Sequence, residues 1–71
     1  MNLSQLMLGD TGTIESFTDL DLSVKLMEMG CLPGEKVTVS LVAPLGDPIA
    51  IQVAGYCLSL RKKEAETIIL N

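Results

Sequence analysis

Hydrophobic positions follow two different periods along this chain. Leu22, Leu26 and Met29 recur at i, i+4 and i+7, with Val24 and Met27 widening the stripe, so residues 20–29 read as a helix. Thr18-Asp19-Leu20-Asp21 supplies its start signal, with Asp19 or Asp21 as alternative caps. Gly30 stands where a helix end favours a residue without a Cβ, and Pro33-Gly34 then forces a turn. After Gly34 the period drops to two. Val37, Val39 and Leu41 form one inward set; Ile49, Ile51 and Val53 form a second; Tyr56, Leu58 and Leu60 form a third. Ala50, Gln52, Cys57 and Ser59 point the other way. Ala54-Gly55 is a tight turn between the last two sets.

The ends are less periodic. Leu3, Leu6 and Met7 suggest one apolar turn, and Gly9-Asp10-Thr11-Gly12 a reversal. Thr13–Phe17 reads as a strand rich in β-branched and aromatic residues. Residues 61–66 have helix-forming composition, and Ile68-Ile69-Leu70 reads as a closing strand; one helix over 61–70 is the alternative. The order is β-α-β-β-β-β. Five short strands bury one face best as a closed or half-closed barrel, which hides their edges. The expected core is Ile14, Leu22, Leu26, Met29, Val37, Val39, Leu41, Ile49, Ile51, Val53, Leu58, Leu60 and Ile68.

Composition fits one small domain over residues 1–71. Hydrophobic residues make up 48% of the chain, too many for a disordered segment. Aromatics are only 3%, so aliphatic side chains and Met must fill the core. The net charge of −4 argues against nucleic acid and against an anionic membrane surface as partner. No Lys or Arg precedes Lys25, so no secretory leader is read. The longest uncharged stretch, Pro48–Leu60, is 13 residues, short of the roughly 18 needed to cross a bilayer. These features predict a cytoplasmic protein.

Catalytic chemistry is hard to assemble from these residues. There is no His, hence no common general base and none for the serines. Asp19-x-Asp21-x-Ser23 opens like a calcium loop, but Val24 and Gly30 stand where its glycine and glutamate belong. Cys31 and Cys57 form no C-x-x-C pair and read as reduced, mostly structural thiols; a metal carrier or sensor using Cys31, Cys57 and acidic residues is the alternative function. No cofactor is predicted, and no metal site within one chain.

Two segments stand out as binding candidates. Pro44-Leu45-Gly46-Asp47-Pro48 has a proline at each end and is stiff for its length. Leu45 at its tip either folds back over the barrel mouth or offers a preordered apolar contact, where stiffness lowers the entropy lost on binding. Asp47 would steady the turn by bonding to its backbone. Arg61-Lys62-Lys63 holds three of the five positive charges. Arg61, the only arginine, reads as a solvated end pairing with Glu64 or Glu66, or as a finger offered to a nucleotide-hydrolysing partner.

The chain resembles the FeoA family of bacterial ferrous iron uptake. The likeness rests on Leu8-Gly9, Gly12-x-Ile14, Lys25-Leu26-Met27-x-Met29-Gly30-Cys31-Leu32-Pro33-Gly34, Val37-x-Val39, Ala43-Pro44-Leu45-Gly46-Asp47-Pro48-Ile49 and Leu58-x-Leu60-Arg61-Lys62-Lys63-Glu64-Ala65. It runs nearly end to end. It implies a mainly β, five-stranded SH3-like barrel with one inserted helix. It also implies a partner, the membrane ferrous-iron transporter FeoB, whose cytosolic end carries a GTP-hydrolysing domain, and an accessory protein that is not an enzyme. A weak homo-oligomer is kept as a second partner class.

Overall fold

The computed structural model describes residues 1–71. A 3₁₀ turn, Leu3–Gln5, leads into strand β1, Thr11–Phe17, and helix α1, Leu20–Glu28. Strands β2, Lys36–Val42, β3, Ile49–Val53, and β4, Tyr56–Leu60, follow. A single helical turn α2, Lys62–Ala65, precedes β5, Ile68–Leu70. The C-terminal segment is therefore a turn plus a closing strand, not one helix.

All strands pair antiparallel in the order β4-β3-β2-β1-β5. No ladder joins β4 to β5, so the sheet stays open and is a barrel only in a loose sense. Both faces of the hairpin β3–β4 are set by a two-residue turn, with Ala54 at φ 51 and Gly55 at φ 81. Positive φ at both central residues is the turn whose twist matches a two-residue hairpin.

α1 starts where the cap signal predicts. Asp19 Oδ1 accepts from the Leu22 N–H at 2.9 Å, so Asp19 is the cap and Asp21 a first-turn acid. Its end is a Schellman motif. Gly30 takes φ +105, its N–H donates to Met27 O at 3.1 Å, and the Cys31 N–H donates to Leu26 O at 3.0 Å. That geometry turns Cys31 back onto Leu26, and both side chains are fully buried.

The core cluster joins Leu3, Ile14, Leu26, Cys31, Val37, Val39, Ile49, Ile51, Val53, Leu60, Ala65, Ile68 and Leu70. Leu22, Met29 and Leu58 pack against it, half-buried. Three expectations fail. Leu41 is 61% exposed, because a register shift between Val39 and Leu41 inserts Ser40 into β2 and turns Leu41 outward. Tyr56 is 63% exposed, since it flanks the hairpin turn at the sheet's edge. Ala50, assigned outward, is buried opposite Leu41.

Candidate binding site

The loop that joins β2 to β3 is closed by the Ala43 N–H donating to Pro48 O at 3.1 Å. Inside it the Gly46 N–H donates to Ala43 O at 2.7 Å, a four-residue turn with Pro44 at the position that wants its fixed φ. Gly46 follows with φ +83. The turn pushes Leu45 to its tip, where it is 95% exposed. Leu45 therefore does not cap the barrel mouth. Leu41 and Val42, also exposed, lead into the loop.

The basic segment lies beside this loop. Register does this: Ile49 pairs with Leu60, so the next position on each strand places Pro48 beside Arg61. Asp47 fastens the two segments. Its Oδ1 accepts from the Lys62 N–H at 3.1 Å and lies 3.9 Å from Arg61 Nη1. Asp47 thus serves another segment's backbone, not its own turn. Arg61 has Asp47 as its ion partner, in place of Glu64 or Glu66. Lys62 and Lys63 are exposed and make no ion pair. The pairing of the loop with the basic segment was legible in outline, because a two-residue turn at residues 54–55 fixes which residues face each other. The exposure of Leu41 was not, since no sequence signal marks the bulge; Val42 was read as pointing outward and is exposed.

Glu64 anchors the far side of the basic segment. Its carboxylate accepts from the Arg61 N–H at 2.8 Å and meets Lys25 Nζ at 3.2 Å. The backbone hydrogen bond from Arg61 foremost, and Lys25 after it, hold its pKa below the usual glutamate value, against partial desolvation. A lowered folded pKa contributes stability above the unfolded value, and that stability is lost as pH falls through the lowered one. Glu64→Gln is therefore expected to destabilise the chain by roughly 0.5–1.5 kcal/mol at neutral pH, with the gap to wild type closing below about pH 4. Urea midpoints of both proteins from neutral pH down to acid measure it; a gap independent of pH would sink it.

Comparison with known proteins places these residues in a family. The FeoA domain model matches residues 1–71. The chain belongs to the FeoA family. It is 36% identical over 69 residues to a Porphyromonas gingivalis protein in which Fe(2+) transport protein A is fused to the Fe(2+) transporter FeoB. That match covers 96% of this chain but only 8% of the fusion protein. The solution structure of FeoA from Chlorobium tepidum is 38% identical, covers 100% of this chain and 69% of its own, and superposes with a TM-score of 0.90. The crystal structure of Stenotrophomonas maltophilia FeoA complexed with zinc, described as a prokaryotic SH3 domain protein, is 32% identical at a TM-score of 0.87, covering 100% of this chain and 89% of that one. This chain thus has an SH3-like fold whose sheet is open, and its family is associated with ferrous iron transport.

In this FeoA chain Cys31 is sealed in the core and Cys57 is exposed on β4. No three His, Cys, Asp or Glu side chains gather at metal-holding distance. The ligand set of the carrier reading is not brought together. Elemental analysis of dialysed protein is expected to find no near-stoichiometric zinc or iron. A stoichiometric metal that vanishes in Cys57→Ser would overturn this.

Proposed function

We propose that this chain is a cytosolic accessory module that docks on FeoB and regulates it, and is not a catalyst. The proposed contact is the surface of Pro44, Leu45, Gly46, Asp47 and Pro48 together with Arg61, Lys62 and Lys63. One observation carries the reading. Asp47 ties the stiff loop to the backbone of the basic segment, so an exposed leucine and the Arg61-Lys62-Lys63 run lie side by side. Preorganisation lowers the ordering cost of binding, and an apolar anchor beside cations combines affinity with steering. The fused relative supports the partner, since fusion keeps the two parts at high effective concentration.

The test is co-purification of the full-length transporter with wild-type and Leu45→Ala chains. Leu45→Ala is expected to leave folding within about 0.5 kcal/mol of wild type. It should weaken association by about 1 kcal/mol or more, as truncation of a contact residue does. A Leu45→Ala chain that binds like wild type would remove the loop from the contact, and a wild-type chain that never captures the transporter would remove the partner.

A further inference from the structure

The two edges of the sheet are treated differently. β5 is covered: Asn2 bridges Ile69, and the Leu70 N–H donates to Met1 O at 2.8 Å. β4 has no such cover. It pairs with β3 alone, and its outer side receives no backbone partner. The two-residue turn makes Val53 and Tyr56 a hydrogen-bonded pair, and such pairs alternate along an antiparallel ladder. Ile51–Leu58 and Ile49–Leu60 are then bonded pairs, while the N–H and C=O groups of Cys57 and Ser59 point away from the sheet.

An exposed edge is usually blunted by charge, proline or a bulge. β4 reads Tyr-Cys-Leu-Ser-Leu, with no charge and no proline, and its ladder with β3 is regular. The strand runs straight into Arg61-Lys62-Lys63, whose two lysines have no ion partner. An occupant with carboxylates would match those cations, whereas the remainder of this acidic chain would repel it.

We propose that β4 is a strand-addition site for an extended, carboxylate-bearing segment of the protein partner. This rests on the docking reading above and says how the partner engages. The segment would bond to the Cys57 and Ser59 backbone as a sixth strand and set its carboxylates against Lys62 and Lys63. Main-chain pairing supplies affinity in this mode, and the flanking side chains supply selectivity.

Hydrogen–deuterium exchange on the whole chain, with and without the detergent-solubilised full-length transporter, tests it. The Cys57 and Ser59 amides are expected to slow by about tenfold or more when the transporter is present, with β5 unchanged. Lys62→Glu with Lys63→Glu is expected to weaken that protection by about tenfold. Ser59→Pro, which removes only an outward donor, should abolish it while β3 stays protected. If Ser59→Pro does not fold, the wild-type comparison and the lysine variant decide. Protection confined to the 43–48 loop, with β4 unchanged, overturns strand addition and leaves docking intact. No binding at all overturns both. Protection of β4 that grows with the chain's own concentration, without transporter, overturns the proposal in favour of a second copy.

Discussion

Ile51→Ala is expected to cost about 2–5 kcal/mol of folding stability. Ile51 is fully buried at the centre of β3, between Val39 on β2 and Leu58 on β4. Truncation removes three carbons whose surroundings belong to two ladders and cannot collapse inward without breaking them. A domain of this size has a small margin, about 5–15 kcal/mol at most. The loss is therefore a large share of the total. Urea denaturation of Ile51→Ala beside Leu41→Ala makes the comparison. Leu41, on the exposed side of the bulge, should change stability by no more than about 0.5 kcal/mol. An Ile51→Ala loss below about 1 kcal/mol would show that the core is not where the structure puts it.

Gly30→Val is the second large effect, about 1–3 kcal/mol. Gly30 holds φ +105, a region that a β-branched residue reaches only under strain. Space is not the obstacle, since an added Cβ would come no closer than 3.8 Å to Ala54 Cβ. As far as the Cβ goes, the penalty is conformational and not steric. It falls on the motif that turns Cys31 onto Leu26, so part of the core loosens with it. Gly30→Ala should lie below Gly30→Val, because one methyl crowds the backbone less than two. Equal stability of all three proteins in thermal unfolding would refute the assignment of strain to this position.

The elements were readable in the sequence to within a residue or two, because each amphipathic run is bounded by Gly, Pro or a capping acid. α1 was found from Leu22, Leu26 and Met29, and its cap was narrowed to Asp19 or Asp21, of which the structure selects Asp19. Phase was the weak point. A single extra residue at Ser40 turns Leu41 outward, and no residue type announces it. Leu3, Ala65 and Leu70 were missed as core for another reason: elements of three or four residues are too short to display a period. Cys31 could have been found, since the residue after a helix-ending glycine packs on the helix's last turn. The two segments of the candidate surface were legible separately, and the structure sets them side by side. Their junction required the Asp47–Lys62 bond, a contact across 15 positions that local patterns do not carry.

The unequal fates of the two thiols make the chain its own stability meter. Cys57 stands in solvent, while Cys31 is sealed beneath the end of α1 and burial pushes its pKa up. A raised folded pKa means that the neutral thiol favours the native state below the ordinary thiol value, and that this contribution is lost as pH rises from there through the raised one. Alkylating reagents attack the thiolate. In the native chain one sulfur is therefore open to modification and the other waits for the structure to part. Counting added masses over time separates chains labelled once from chains labelled twice. When reclosing outruns labelling, the second mass accumulates in proportion to the open population, so a mass spectrum of the unmutated protein reports its free energy of opening without denaturant.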